Sequence, residues 1–148
     1  MKRVLPPILF ILFAVGMGVV CWVTGSNHLI IFPYNLIGLV FVGIGLGMAV
    51  WGSRLFSKLH INIKTFDEPG ALVKDGLYKY SRNPMYLGLV IAIFGMAVLY
   101  QGAVVTFIAA FIFLYITDRW YIKYEERAMS NKFGEEYKDY CRKTRRWI

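Results

Sequence analysis

The sequence predicts an all-α integral membrane protein, with about four transmembrane helices followed by a cytoplasmic C-terminal helix. Of its 148 residues, 57% are hydrophobic and the mean hydropathy is +0.51, which is more apolar than an ordinary soluble domain. Short turns and one charged loop separate four long apolar runs. These runs cover residues 5–24, 30–51, 84–100 and 102–117. The length fits one compact bundle and a single domain.

Within that domain, residues 1–52 are expected to hold the first two helices and 53–83 to form a cytoplasmic loop. Residues 84–148 are expected to hold a helical hairpin and the C-terminal helix. A spanning helix needs about 20 residues, so the last two runs are short and are expected to tilt or to extend into the boundary. Only Gln101 and Gly102 separate these two runs, which predicts a tight antiparallel turn.

The net charge of +8 is concentrated at one end of the predicted helices. Lys2 and Arg3 precede the first run, and the other charges fall within residues 54–82 or after residue 117. The positive-inside rule therefore places the N-terminus, the central loop and the C-terminus in the cytoplasm. Membrane lipids with anionic headgroups are expected partners of this basic surface. Nucleic acid is not an expected partner, because the basic surface lies against a bilayer and no nucleic-acid fold signature occurs.

The sequence predicts no metal site and no disulfide framework. Cys21 lies in an apolar run and Cys141 in the basic tail. His28 and His60 have no metal-ligand spacing to each other or to a cysteine. The oligomeric state is left open.

One stretch, residues 76–88, joins the charged loop to an apolar helix. Pro84 suits the first helical turn, because the N–H that it lacks would have no partner there. Asn83 suits the cap just before it. Arg82 is the last charge before the apolar run. Composition alone fits an ordinary anchor of positive charge and tyrosines at a membrane boundary equally well.

The order of these residues resembles the shared motif of the isoprenylcysteine carboxyl methyltransferase and phospholipid methyltransferase superfamily. That motif has Gly-x-Tyr, then Arg-His-Pro or Asn-Pro, then x-Tyr-x-Gly, and later a glutamate pair followed by Phe-Gly-Glu-Glu-Tyr. The matching residues are Gly76, Tyr78, Arg82, Asn83, Pro84, Tyr86, Gly88, Glu125, Glu126 and 133–137. The resemblance runs from about residue 38 to residue 146, and the two motifs are separated by one helical hairpin.

This resemblance implies an integral membrane methyltransferase that transfers a methyl group from S-adenosylmethionine to a lipid-like or other amphipathic acceptor. It implies a cofactor pocket at the cytoplasmic face, with Arg82 as the catalytic residue. A carboxylate such as Glu125 suits the ammonium group of the cofactor, and a tyrosine ring suits its sulfonium or adenine. The expected cofactor-binding residues are Gly70, Ala71, Leu72, Val73, Tyr78, Asn83, Pro84, Met85, Tyr86, Glu125 and Glu126.

Arg82, Arg119 and Tyr121 are the residues expected to contact the acceptor. In the prenylcysteine enzymes, an arginine four residues before the cofactor glutamate holds the substrate carboxylate, and Tyr121 occupies that position here. The departure favours a lipid-like amine, thiol or hydroxyl compound over a prenylcysteine carboxylate. Arg82 and Tyr121 are expected to face one open boundary, where the polar end of the acceptor would lie.

Two of these features have a structural interpretation as well. Adjacent acids such as Glu125 and Glu126 ordinarily form a solvated helix face. Gly43 and Gly47 form a Gly-x-x-x-Gly pair, which predicts close packing against another helix. The resemblance offers a cofactor wall instead, because phospholipid methyltransferases carry a Gly-x-Gly that Gly43 and Gly45 would match.

Two other functions remain open at the level of the sequence. One is an NADPH-dependent membrane reductase of the sterol-reductase type, whose C-terminal motif also has Arg-x-Pro-x-Tyr character. Such reductases are usually longer and have more spans. The other is a non-enzymatic membrane protein that retains the fold. Binding of the two cofactors to the purified protein would distinguish all three.

Overall fold

The computed structural model describes residues 5–25, 29–59 and 70–148, which form a helical bundle. The α-helices are α1 (Pro6–Thr24), α2 (Ile37–Lys58), α3 (Pro84–Leu99), α4 (Val104–Ile116) and α5 (Lys123–Lys143). Short 3-10 turns precede α2 and α3, at Tyr34–Leu36 and Gly76–Lys79, and a π-helical turn at Thr117–Ile122 joins α4 to α5. Because these described ranges contain no strand, the all-α prediction is confirmed.

Three helical segments in the described ranges are long and apolar enough to cross a membrane. They are Pro6–Val23, Tyr34–Lys58 and the continuous stretch Val104–Lys143. The remaining predicted span is α3. It has 16 residues and is shorter than the roughly 20 residues that a spanning helix needs. The bundle therefore has three or four helices that could span a membrane, which supports an integral membrane protein.

The second helix extends further than the sequence predicted. Residues 53–58 belong to α2, so the boundary predicted at residue 52 is wrong and the loop begins later. No proline interrupts this stretch, and Lys58 lies in the last turn, where positive charge is favourable for the helix dipole. The ends of α1, α3 and α4 lie within two residues of the predicted ends.

α2 and α3 pack at backbone contact through glycines. A Cβ added to Gly45 would lie 2.3 Å from the carbonyl oxygen of Gly88. A Cβ added to Gly38 would lie 2.4 Å from the carbonyl oxygen of Gly95. The glycines on each helix are seven residues apart, a spacing that keeps one face against a partner helix. Only glycine leaves room for this approach.

The prediction that Gly43 and Gly47 form the packing face is wrong. Apart from the nearby backbone of α2 itself, no described atom lies within 4 Å of a Cβ built on either residue. Two residues along a helix turn the side chain by about 200°, so these glycines point away from the face that holds Gly45. The cofactor wall suggested for this stretch is not supported either, because the α3 backbone already occupies the space at Gly45.

The other face of α3 packs against α1 and α4, so α3 lies at the centre of the bundle. Ile93 of α3 and Phe113 of α4 are almost fully buried, with 0% and 1% exposure. The rings of Phe10 and Phe13 in α1 meet the ring of Phe113 edge-on, with centroids 6.2 and 5.5 Å away. Packing on both faces fixes the position of the start of α3, where the sequence motif lies.

The tight hairpin predicted between α3 and α4 is confirmed. Gln101 and Gly102 both adopt left-handed backbone conformations, with φ of 61° and 66°. The Gly102 N–H donates to the Ala97 carbonyl oxygen at 3.0 Å, which satisfies a carbonyl at the end of α3.

The two ends of the bundle differ in charge. At one end, the Ile30 N–H donates to the Gln101 carbonyl oxygen at 2.9 Å, and the Asn35 side chain donates to the Leu99 carbonyl oxygen at 3.0 Å. The described residues 29–36 and 99–104 contain no charged side chain. The other end, called the charged end below, holds the end of α2, residues 70–86 and residues 117–148. The residues Lys2, Arg3, His28 and His60 lie outside the described ranges.

Candidate functional site

The chain enters α3 through a turn that packs against the end of α2. Gly76 has φ of +63°, and a Cβ there would lie 2.5 Å from the ring of Trp51. Gly76 therefore marks both a turn and a close approach of the backbone to the Trp51 ring. Two residues later, Tyr78 is buried, with its ring centroid 5.7 Å from that of Phe56. The turn thus places the first tyrosine of the motif inside the charged end.

The four residues predicted to line the cofactor ahead of this turn form an irregular segment. Gly70 is exposed, Ala71 and Leu72 are half-buried, and Val73 is buried. The next residue, Lys74, forms an ion pair of 2.7 Å with a carboxylate of α5, that of Glu136. This segment therefore lies beside the helix that carries the glutamate pair.

The start of α3 agrees with the prediction in position but not in bonding. The helix begins at Pro84 with Asn83 at the cap position, yet the Asn83 side chain makes no capping hydrogen bond to the described residues. Its carboxamide instead donates to the carbonyl oxygen of Arg146 at 3.1 Å, and its N–H donates to the Ser81 hydroxyl. The prediction of a side-chain cap is wrong, because the C-terminal tail binds the carboxamide.

Glu125 of α5 connects to the α3 motif through a tyrosine. The Tyr86 hydroxyl donates to the Glu125 carboxylate at 2.7 Å. Burial, reinforced by the negative charge of Glu125, raises the pKa of Tyr78 far above its ordinary value, so this side chain is a neutral phenol at physiological pH. The contact between Tyr86 and Glu125 therefore joins both sequence motifs, and the charge of Glu125 also acts on Tyr78.

Glu126 lies between two arginines. Its Oε1 is 3.2 Å from Arg82 Nη2, and Arg146 donates to both of its oxygens, from Nε at 3.0 Å and from Nη2 at 2.5 Å. Hydrogen bonding to Glu126 raises the pKa of Arg146. The side chains of Arg82 and Glu126 are only 14% and 17% exposed. The solvated-face interpretation of the glutamate pair is therefore wrong.

Arg82 points into the protein rather than toward an open boundary. Besides its ion pair with Glu126, its Nη1 donates to the Cys141 sulfur. Its Nε is buried and has no hydrogen-bond partner in the part of the chain that the structure describes. The expectation that Arg82 faces an open boundary is wrong in this conformation, and its role in catalysis remains a prediction.

Tyr121 and Arg119 differ sharply in exposure. Tyr121 is 4% exposed, and its ring stacks between the rings of Tyr86 and Trp120 at centroid distances of 6.3 and 6.2 Å. The expectation of an open Tyr121 position is therefore also wrong. Arg119 is 66% exposed and lies 3.6 Å from Asp118. Among the three predicted acceptor residues, Arg119 is thus the one at the surface.

The sequence interpretation missed three residues of this site. Arg146 Nη1 lies 3.3 Å from Asp118, and the Trp147 indole N–H donates to the same carboxylate at 3.0 Å. Trp147 also packs against the buried cluster of Tyr86, Tyr121 and Ile122. The sequence contained one signal, a large aromatic residue at the end of a charged tail, and such a residue usually finds an apolar partner.

The site thus presents carboxylates, phenols and guanidinium groups within one region. A carboxylate beside aromatic faces can bind a cationic ligand. Among the residues that the structure describes, no group of three or more His, Cys, Asp or Glu side chains could hold a metal ion.

Comparison with known proteins identifies the family. The family model described as phospholipid methyltransferase matches residues 34–136, which is more than half of the chain. The protein belongs to the phospholipid methyltransferase family. The matched range contains both α3 and the glutamate pair of α5, and the family is part of the superfamily that the two motifs resemble. Phospholipid methyltransferase family membership implies methyltransferase activity at a membrane.

One protein similar to this chain is an uncharacterized protein of Haemophilus influenzae. It is 33% identical over 64 residues, which cover 43% of this chain and the whole of that relative. No solved structure matches the chain.

Proposed function

We propose that this protein transfers a methyl group from S-adenosylmethionine to a lipid-like acceptor, at the charged end of the bundle. The observation that supports this most directly is the 2.7 Å hydrogen bond between Tyr86 of α3 and Glu125 of α5. It joins two motifs that lie 39 residues apart in sequence. Their meeting in a phospholipid methyltransferase family member favours one shared cofactor site.

The residues around this contact fit the chemistry of the cofactor. Its ammonium group requires an acidic partner, and Glu125 supplies a carboxylate. Its sulfonium and adenine favour aromatic faces, which Tyr78 and Tyr86 supply. Residues 70–73 supply a partly apolar wall. When bound, S-adenosylmethionine supplies an activated methyl group, and the protein has to hold the acceptor in line with it.

The first turn of α3 contributes through its backbone in this proposal. Asn83 and Pro84 fix the start of the helix, whose first N–H groups suit the carboxylate of the cofactor. The side chain of Met85 lies against Gly52, because a Cβ at Gly52 would be 2.3 Å from Met85 Cγ. We therefore propose that Met85 contacts the cofactor through its main-chain N–H and not through its side chain.

The two adjacent glutamates have different roles in this proposal. Glu125 binds the ammonium group of the cofactor, and the Tyr86 hydroxyl orients its carboxylate. Glu126 holds Arg82, since both of its oxygens are engaged by arginines. Arg82, held in this way, is the proposed catalytic residue at the polar end of the site.

The proposed acceptor is a lipid-like amine, thiol or hydroxyl compound. A carboxylate acceptor would require a bidentate arginine, and the family position for it is Tyr121, which is buried against other rings. Arg119 lies in the same π-helical turn as Tyr121 and is exposed, so it is positioned to contact an anionic headgroup. The acceptor proposal therefore rests on the tyrosine at position 121, where the prenylcysteine enzymes have an arginine, and on the exposed Arg119.

Both termini and the charged end are proposed to be cytoplasmic. In a variant lacking Cys21 and Cys141, a cysteine at the exposed Tyr34 should react with impermeant reagent from outside. A cysteine at the exposed Lys132 should react only after the membrane is permeabilised. Reaction of both cysteines from the same side would contradict this orientation.

The test of the proposed function is methyl transfer from labelled cofactor to a panel of acceptors. The panel contains phosphatidylethanolamine, small apolar thiols, apolar alcohols and farnesylcysteine analogues. We expect transfer to an amine, thiol or hydroxyl acceptor, with loss in Glu125→Gln and normal activity in the matched variant Glu135→Gln, whose carboxylate is exposed. Transfer to the farnesylcysteine analogue alone would contradict the acceptor. No transfer to any member by folded protein would contradict the function.

A further inference from the structure

The residues that follow α5 return to the segment before α3 and pair with it. The Arg82 N–H donates to the Arg145 carbonyl oxygen at 3.0 Å, within a bridge between Ser81 and Arg145. The Asn83 carboxamide and the Ser81 hydroxyl both donate to the Arg146 carbonyl oxygen, at 3.1 and 3.4 Å. Residues 144–147, called the clasp below, therefore hold the Arg82 main chain and the side chains on both sides of it.

The shape of α5 makes this return possible. Gly134 interrupts the helix with φ of 50° and ψ of −120°, a conformation open to glycine and costly for other residues. Beyond it, the Tyr140 hydroxyl donates to the Tyr78 carbonyl oxygen at 2.6 Å. The Thr144 hydroxyl donates to the Lys79 carbonyl oxygen at 3.4 Å. The end of α5 and the clasp thus contact the segment before α3 at several successive points.

The side chains of the clasp are anchored on α5 and on the π-helical turn before it. Arg146 binds both oxygens of Glu126 and also contacts Asp118, and the Trp147 indole binds Asp118. Glu126 in turn binds Arg82. Since one carboxylate is shared by two guanidinium groups, the position of Arg146 determines where Glu126 can hold Arg82.

We propose that the clasp positions Arg82 for methyl transfer, and that Arg146 is a positioning residue acting through Glu126. The proposal rests on the proposed function for its catalytic consequence. Its structural part stands independently, because it concerns only where the Arg82 side chain lies. The match to the phospholipid methyltransferase family ends at residue 136, so the clasp lies outside the matched range.

The first test compares Arg146→Gln with Arg146→Lys and with Lys143→Gln. Lys143 is an exposed cation three residues away, so its substitution removes the same charge without touching the clasp. We expect Arg146→Gln to lower kcat by about 10- to 100-fold, the scale of a misplaced catalytic group, with little change in KM for S-adenosylmethionine. Lysine should restore part of kcat, because it keeps a cation near Glu126. Lys143→Gln should behave as wild type.

The second test does not depend on activity. Cys141 lies against Arg82, so in a Cys21→Ser background its reaction with a water-soluble maleimide reports whether Arg82 stays in place. Compared at equal thiolate fraction, which removes the effect of the neighbouring cation on the thiol, Arg146→Gln should accelerate this reaction several-fold, because a displaced Arg82 uncovers the half-buried sulfur. Lys143→Gln should leave the rate unchanged. Equal rates in wild type and Arg146→Gln would overturn the proposal. If the wild-type protein does not bind S-adenosylmethionine but Arg146→Gln still accelerates the reaction of Cys141, the proposed function fails while the positioning of Arg82 by the clasp stands.

Discussion

The α2–α3 interface and the charged end hold the same helix by different physical means. Along the interface, α3 is fixed by close backbone contact with α2, which is possible because the facing glycines have no side chains. At the charged end, the start of α3 is fixed by long side chains, mainly Arg82, Glu126 and Arg146. The first kind of contact tolerates no added atom. The second depends on charge and can be altered one group at a time.

This difference confines the proposed chemistry to one of the two regions. The glycine interface lies between apolar helices and contains no group that could do chemistry. The charged end contains every polar residue assigned to the proposed site. Substitutions in the interface should therefore change stability alone, whereas substitutions at the charged end can change both the stability and the activity of the protein.

The largest expected effect is that of Gly45→Ala. The added methyl group would lie 2.3 Å from the Gly88 carbonyl oxygen, so the two helices would have to separate. We expect a loss of about 3 kcal/mol or more in the free energy of unfolding, at the upper end of overpacking effects. The measurement is thermal unfolding in detergent, followed by tryptophan fluorescence.

Gly43→Ala is the matched control for that substitution. The same methyl group meets no described atom within 4 Å, and alanine favours the helix over glycine. The unfolding temperature should stay the same or rise slightly. Equal destabilisation by the two alanines would show that α2 uses another face for packing.

The next effect in size is that of Glu126→Gln. The neutral amide leaves Arg82, which is 14% exposed, without its anionic partner, and we expect a loss of about 2–3 kcal/mol in unfolding free energy. Glu135→Gln breaks the exposed pair with Lys138 and should cost at most about 0.5 kcal/mol. Both are measured by the same unfolding assay. A change in Glu126→Gln as small as in the control would show that the pairs with Arg82 and Arg146 do not hold the charged end.

The smallest effect is that of Gly134→Ala, which tests the turn that leads to the clasp. No described atom lies within 4 Å of the added Cβ, so the cost comes from the backbone conformation alone. We expect about 1–2 kcal/mol of destabilisation. Gly47→Ala is the control, since its Cβ is equally open and its backbone is helical. An unchanged unfolding temperature in Gly134→Ala would rule out the kinked conformation.

Local patterns in the sequence were sufficient for most of the helices. Apolar runs and charge placement predicted α1, the α3–α4 hairpin and the polar end of the bundle, because each depends on neighbouring residues. The packing face of α2 was predicted wrongly from the four-residue spacing of Gly43 and Gly47. The correct pairing is visible only when the two helices are compared. Each has two glycines seven residues apart, Gly38 and Gly45 in α2 and Gly88 and Gly95 in α3.

Only the part of the site that lies within the two sequence motifs could be predicted from the sequence. The proximity of Tyr86 to Glu125 followed from a family resemblance, and the structure contains their hydrogen bond. The contacts of Arg146 were not predictable, because its partners Glu126 and Asp118 are 20 and 28 residues away and no repeating pattern links them. Nor does the sequence mark the π-helical turn that places Asp118 beside the tail.

The most direct test of the proposed cofactor site is equilibrium binding of S-adenosylmethionine to the purified protein and to Glu125→Gln, with NADPH as the comparison ligand. We predict that the wild-type protein binds S-adenosylmethionine and not NADPH. We predict that Glu125→Gln weakens binding by about 1.5–3 kcal/mol, the value of a charge-assisted hydrogen bond. Binding of NADPH in place of S-adenosylmethionine, or equal affinity of the wild-type and Glu125→Gln proteins, would contradict the proposed site.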